Sequence, residues 1–342
     1  TSMKKLLAMV LALVMTLSLA VSASAFKDDK DISDDYAEAV AVLNGMGVFQ
    51  GYEDGSFKPT GDITRAEVAT IIYRIYTGDV AKNDKSGLYA TYNKFSDMAG
   101  ASWASGYIGY CANAELVKGY PDGTFQPSGK ITGYEVLAMI LRAIGYDKNG
   151  EFSGADWALN VAKYAEQLGI LDNVAKTTNL GAPATRELVA EMLFAGIQKD
   201  QVTYTPAFGY VTDKALKLGQ ESLGYKNFKL DSDDSQDDWG RPATEWTYNT
   251  GDKSTLVVDK AAASFQVETS QCDICDALGE KKTATIVDTY TNGVVDTKDV
   301  TYTATATKAM VGAQGQQLEF YEVDGGYRLV KIDTYLAKVD SV

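Results

Sequence analysis

Gly51-Tyr52-Glu53-Asp54-Gly55-Ser56-Phe57-Lys58-Pro59 returns 68 residues on as Gly119-Tyr120-Pro121-Asp122-Gly123-Thr124-Phe125-Gln126-Pro127. The same offset carries Ile63-Thr64-Arg65-Ala66-Glu67-Val68 onto Ile131-Thr132-Gly133-Tyr134-Glu135-Val136. One offset shared by two separate motifs marks a duplicated structural unit. Asp-Gly admits positive φ and a proline closes each segment, so the Gly-Tyr motif predicts a turn-rich loop. An amphipathic helix is expected before each loop, carrying Tyr36, Val40, Leu43 and Gly47 in one copy and Trp103, Ile108, Cys111 and Leu116 in the other. A second helix is expected after it. Thr64 with Glu67, and Thr132 with Glu135, have the spacing of a capping box, which satisfies backbone donors at a helix start.

A weaker third copy runs from about Phe152 to Gln198. Trp157, Ala165, Gly169 and Ile170 keep the spacing of the first helix, while the glycine loop is reduced to Asn179-Leu180-Gly181-Ala182-Pro183. Its second helix opens at Thr185-Arg186-Glu187, with Leu188 where the capping glutamate belongs. The repeats are bounded as 26–78, 95–147 and a degenerate 150–199, with 79–94 as a linker and 200–225 as a connector. From residue 226 to 342 the chain turns strand-rich. Expected strands are Glu245–Tyr248, Thr255–Val258, Ser264–Glu268, Thr283–Tyr290, Val300–Thr307, Leu318–Val323 and Tyr327–Val339, with hairpin signals at Asn292-Gly293 and Asp324-Gly325. The fold class is α + β and multidomain, with an all-α repeat domain followed by a sandwich-like β module that is either short or truncated.

Phe-x-Asp, Trp-Ala, Gly-Tyr-x-Asp-Gly-x-Phe-x-Pro and Ile-Thr-Arg-Ala-Glu, in that order, resemble the S-layer homology repeats of Firmicute surface proteins. The likeness covers about half the chain. It implies a three-pronged helical domain that binds secondary cell-wall polysaccharide, often bearing pyruvate ketals, in grooves between the prongs. It also implies that Arg65 and Arg186 contact the acidic glycan. Asp238-Trp239-Gly240-Arg241-Pro242, followed by Trp246 and Tyr248, resembles a segment found after such repeats in gut Firmicute S-layer proteins.

Composition narrows the chemistry. The 342 residues hold 46 acidic and 32 basic side chains, for a formal charge of −14, so no basic face for nucleic acid is expected. There is no histidine, which removes Ser-His and Cys-His nucleophile pairs, an imidazole base and His metal ligands. Two-carboxylate glycosidase chemistry stays formally open. Lys4-Lys5, an apolar run from Leu6 to Val21, and Ala23-Ser24-Ala25 spell a signal peptide over 1–25, cleaved before Phe26 and leaving no transmembrane anchor.

The candidate ligand residues are Arg65, Arg186, Tyr52, Tyr120, Gly51, Gly119, Thr64 and Thr132. A cation at the first helical position opposes the helix macrodipole, so an external anion is expected to complete that site, gripped by backbone donors and the guanidinium. Copy two has Gly133 there, and the groove that depends on it is expected to be weak or empty; Lys118 and Lys130 are read as solvated. Each glycine has a turn-forming reading, and each tyrosine either packs on the prong or presents a flat ring to sugar. Trp103 and Trp157 are expected in the core. Cys272-Asp-Ile-Cys275 lacks partners for zinc and a βαβ setting for redox work, so a disulfide-stapled loop is expected, with Cys111 a buried thiol. Asp231, Asp233, Asp234, Asp237 and Asp238 lack the glycine and terminal glutamate of a calcium loop and are read as a solvated connector. No cofactor, metal or catalytic residue is assigned. Sister subunits in a surface lattice are a further expected partner; an adhesin and a tethered enzyme are the alternatives.

Overall fold

The computed structural model describes residues 26–80, 84–216, 221–249, 251 and 253–334. The expected signal peptide lies outside them. The chain divides into a helical unit, which includes everything described up to Asp231 together with Trp246–Thr255, and a second unit built from Ser232–Glu245 and the described chain from Leu256 onward. Helices dominate the first half and strands the second.

In the helical unit the main helices are α1 (Ala37–Gly45), α2 (Arg65–Thr77), α3 (Ser105–Asn113), α4 (Gly133–Ala143), α5 (Trp157–Gln167) and α6 (Arg186–Ile197). They pack as α2 on α3, α4 on α5 and α6 on α1, so the second helix of each pair leans on the first helix of the next, in a closed cycle. Val68, Ile72 and Ile75 are wholly buried along α2, and Val136, Leu137 and Ile140 along α4. Thr64 caps α2 by accepting from Glu67 N, while Glu67 accepts from Thr64 N; Thr132 and Glu135 do the same for α4. Thr185 caps α6 alone.

The cycle is tied at its centre by backbone. Ile63 N donates to Ala184 O, Ile131 N to Ile63 O, and Ala184 N to Ile131 O, at 3.3, 3.1 and 2.8 Å. Ile63, Ile131 and Ala184 are all buried, so water does not compete for these three bonds.

Residues 79–94, expected as a linker, contain a 3₁₀ helix (Ser86–Tyr92) packed against α3. Tyr89 meets Tyr110 at 4.8 Å and Tyr73 meets Tyr110 at 5.1 Å, both edge-on, and these apolar rings account for the docking. The expected connector 200–225 opens with a hairpin of β1 (Val202–Thr205) and β2 (Gly209–Thr212), whose Tyr210 ring lies 4.8 Å from Tyr146. The short helix expected over 214–222 lies partly outside the described residues; the helix found is α7 (Leu223–Phe228). Trp246 packs edge-on to Phe194 at 5.0 Å and donates its indole N–H to Glu38 Oε1 at 2.7 Å.

The second unit departs further from expectation. β3 (Asp231–Gln236), β4 (Pro242–Tyr248) and β5 (Lys253–Val258) form a three-stranded sheet in that order, with the β4–β5 turn region counted in the helical unit. The acidic stretch is thus largely a strand, not a connector. Asp237 accepts from Trp239 N and Arg241 N in the turn that follows, and Arg241 Nε stands 2.8 Å from buried Glu319. Downstream come β6 (Ala263–Phe265), β7 (Thr269–Ser270), β8 (Thr283–Thr291), β9 (Val294–Asp296), β10 (Val300–Thr303), β11 (Met310–Val311), β12 (Gln316–Val323) and β13 (Gly326–Asp333). The main sheet runs β10-β8-β13-β12-β6, with β9 also on β8 and β13 parallel to β8. This mixed sheet replaces the expected sandwich: β8 pairs with the distant β13 rather than with a sequence neighbour alone. Cys272 and Cys275 lie on a helix, α8 (Gln271–Ala277), and both thiols are free, so the disulfide-stapled loop is corrected. Ser270 caps that helix through Asp273 N, and Ile274 and Cys275 enter the core beside Ile286, Phe320 and Leu329. Helical hydrogen bonds hold this turn in place of a cross-link.

Candidate binding grooves between the helix pairs

The helix starts expected to grip an external anion are already occupied. Arg65 N donates to Gly129 O and Ala66 N to Pro127 O; Arg186 N donates to Gly61 O and Glu187 N to Pro59 O. The proline that closes each glycine loop therefore serves as an acceptor for another repeat's helix, a partner that local spacing does not reveal. With their first donors spent, these helix starts offer no free backbone cradle.

The arginines are also turned inward. Arg65 is 3% exposed and donates to Phe125 O at 2.8 Å, Lys118 O at 3.0 Å and Glu135 Oε1 at 2.6 Å. Arg186, also 3% exposed, donates to Phe57 O at 2.7 Å and Gln50 O at 3.0 Å, with Glu67 Oε1 at 3.6 Å. Their planes lie over aromatic rings: Arg65 over Tyr120 and Phe125 at 4.8 and 4.7 Å, Arg186 over Tyr52 and Phe57 at 4.4 and 4.9 Å. Burial pulls the Arg186 guanidinium below its ordinary pKa, and the nearby Tyr52 and Glu67 oppose that shift. Burial likewise raises the phenols of Tyr52 and Tyr120.

Each capping glutamate is a node. One oxygen of Glu135 receives Thr132; the other receives Tyr120 Oη at 3.0 Å and Arg65. Glu67 joins Thr64, Tyr52 and Arg186 in the same way. Arg65 thus belongs with Gly119, Tyr120, Thr132 and Glu135, and Arg186 with Tyr52, Thr64, Glu67 and the loop that begins at Gly51. Gly51 and Gly119 are required by close approach. A Cβ there would fall 2.5 Å from Phe26 and 2.3 Å from Phe95, respectively.

A groove of about 400 Å³ opens at the Arg65 junction. Its walls carry Arg65, Lys118, Tyr120, Glu135, Arg142 and Trp157, with Gly119 and Phe152 among the remainder. Lys118, read from sequence as a solvated side chain, is one of these wall residues and donates to Asp147 at 2.9 Å. Burial alone would raise Asp147, but bonds from Lys118, Phe152 N and Arg142 outweigh it and hold the carboxyl below its usual range. The two tryptophans leave the core. Trp157 is half-buried in the groove wall, edge-on to Tyr134, and Trp103 is 57% exposed. Trp103 sits in a kinked 3₁₀ segment (Met98–Ala104) ahead of α3, which takes it off the helix's apolar face. A Trp-Ala pair at the same place in two copies, 54 residues apart, is the signal that sequence reasoning gave to the core. Lys130, also read as solvated, donates to Asp62, while Cys111 is buried and burial pushes its thiol up.

The S-layer homology domain profile matches residues 25–69 and 94–137. The chain is 28% identical over 248 residues to the middle cell wall protein of Brevibacillus brevis, which covers 70% of this chain and 22% of that protein. It is 28% identical over 257 residues to the surface layer protein of Brevibacillus choshinensis, 74% of this chain and 21% of that one. Over 134 residues it is 37% identical to a cellulosome-anchoring protein of Acetivibrio thermocellus, 39% of this chain and 28% of the other. The chain spans about a fifth of the length of the first two relatives. No helix among the described residues is long and apolar enough to cross a membrane. Residues 25–69 and 94–137 thus match S-layer homology repeats, the loop of the second holding the helix start of the first, in a chain similar to cell-wall and surface-layer proteins.

Proposed function

We propose that the helical unit anchors the chain to the cell wall without a covalent bond, by holding an acidic, pyruvate-bearing secondary wall polysaccharide. The observation that carries this is the groove at the Arg65 junction, where a half-buried aromatic wall meets a cluster of cations. Trp157 and Tyr120 offer flat faces to a sugar ring. Arg65, Lys118 and Arg142 set a positive field against Glu135 and Asp147, and a groove focuses that field on an incoming carboxylate. Arg65 and Arg186 then act chiefly by shaping the wall. The three-pronged arrangement is favoured by the cyclic helix packing and the central ring of backbone bonds. The role is non-catalytic, and the strand-rich unit is the displayed part of a surface-layer subunit. The surface-layer names among the relatives support that part of the reading.

Co-sedimentation with purified sacculi tests it. Trp157→Ala is expected to weaken retention about tenfold, equivalent to ~1.4 kcal/mol, while leaving the fold intact. Stripping pyruvate from the polymer is expected to have at least the same effect. Full retention after both treatments overturns the assignment.

A further inference from the structure

The helix cycle closes where α6 leans on α1, and that seam holds a buried acid where the other second helices hold none. Counting from the helix starts at Arg65, Gly133 and Arg186, the corresponding positions are Thr70 in α2, Ala138 in α4 and Glu191 in α6. All three are buried, at 6%, 3% and 3% exposed, and of the three Glu191 alone can ionise. Thr70 spends its hydroxyl on Ala66 O within its own helix. A carboxylate at such a place gives up most of its water, a loss that a hydroxyl or a methyl does not suffer to the same degree.

The neighbours compensate little. Asn173 Nδ2 donates to Glu191 Oε1 at 3.1 Å, and it is neutral. From α1 and the turn before it come Asp35, Tyr36 and Glu38. One turn earlier on α6 itself stands Glu187, which accepts from Ser33 N at 2.8 Å. The charges that act on Glu191 are those of Glu38 and Asp35, both of its own sign. Trp246 lies across the seam. Its indole N–H donates to Glu38 Oε1 at 2.7 Å, and its ring meets Phe194 of α6 edge-on at 5.0 Å. That bond fixes Glu38 in place beside α6.

Burial first, then Glu38 and Asp35, raise the Glu191 carboxyl above the ordinary glutamate range, and Asn173 opposes them. Tyr36 feels the same crowding: burial, then Glu191, Glu187 and Asp35, push its phenol up.

We infer that Glu191 is a proton-operated latch on the α6–α1 seam. Uncharged, it sits in the seam and the cycle stays shut. Ionised, it is repelled by Glu38 and Asp35, and the seam opens more often. Linkage fixes the direction. The shut seam binds the proton more tightly than the open one, so its stabilisation is complete below the ordinary glutamate range and is lost as pH rises through the raised value.

Amide hydrogen exchange of the full chain, corrected for the intrinsic effect of pH, tests this. Glu191→Gln keeps an acceptor for Asn173 and removes the charge. It is expected to slow the opening of α1 and α6 about threefold or more at about pH 8, and to change nothing at about pH 4. Equal exchange of variant and unaltered protein at both values, or a difference that does not vary with pH, overturns the latch.

The Trp246 indole N–H signal gives a second readout. In the unaltered protein it should titrate with an inflection above the ordinary glutamate range, and Glu191→Gln should abolish that inflection. Persistence in the variant assigns the proton to another group and overturns the inference. Asp35 is exposed, so Asp35→Asn leaves the buried side chain in place and serves even where the glutamine variant fails to fold. It is expected to move the inflection toward the ordinary range; an unmoved inflection overturns the charge pattern on which the latch depends.

Discussion

Arg65→Ala is expected to cost the helical unit about 3–5 kcal/mol, read from the urea midpoint at unchanged slope. The guanidinium is buried and serves two main-chain carbonyls and one carboxylate of another repeat, and alanine leaves all three short of a donor. Phe125 O is the costliest to abandon, since Arg65 Nε reaches it in a buried setting. Glu135 keeps its bonds from Thr132 and Tyr120, which keeps the penalty out of the range of a fully orphaned charge. Arg65→Lys should recover less than half, because one ammonium cannot span three acceptors set by a planar fork. Arg186→Ala should cost less than Arg65→Ala, as its carboxylate partner stands at 3.6 Å rather than 2.6 Å. A shift under about 1 kcal/mol for Arg65→Ala would remove the arginine from its linking role. Lost wall retention in that variant has two causes, structure and ligand, so the half-buried Trp157 of the groove wall is the cleaner probe of binding.

Gly106→Ala is expected to undock residues 86–92 and destabilise the unit by about 1–3 kcal/mol. A Cβ there would sit 2.1 Å from Ser86 O, and one on Gly109 would sit 2.5 Å from Tyr89 O. The two glycines, three apart on α3, let the 3₁₀ segment approach backbone to backbone. Neither contact relaxes by turning a side chain. Moving the segment also separates Tyr89 from Tyr110 and Tyr73. Limited proteolysis should then cut between residues 79 and 94 much faster, and amide exchange should rise there first. Gly87→Ala, which meets nothing within 4 Å, is the control and should stay within about 0.5 kcal/mol. Equal cleavage of the Gly106 variant and the control would show that the segment is not held by this face.

The repeat was legible because duplication preserves local spacing. Thr64 with Glu67 and Thr132 with Glu135 announce helix starts whatever surrounds them, since a capping box closes within four residues. Gly133 was legible as a departure for the same reason. The misplaced residues share a different cause. Trp103 has the right spacing for a helix face, but its backbone leaves the helix at Ala101, where φ and ψ are −137° and 39°. The Cys272–Cys275 helix did carry a local sign, Ser270 with Asp273 at capping spacing, but that cap sits inside a strand-rich stretch and belongs to a two-residue strand, so the sequence reads there as loop. The Asp-rich stretch has poor strand propensity and is a strand because β4 supplies its pairing.

What the sequence determined alone is everything that closes within one repeat: the loops, the caps, the apolar faces and the non-equivalence of the second copy. What only the tertiary structure decided is which repeat each arginine serves. Arg65 finds its carbonyl 60 residues away and Arg186 finds its own 129 residues away, across a ring sealed by three main-chain bonds. Those partners are chosen by how the helix pairs close on one another, and closure depends on the packing of buried side chains, not on the spacing of any motif.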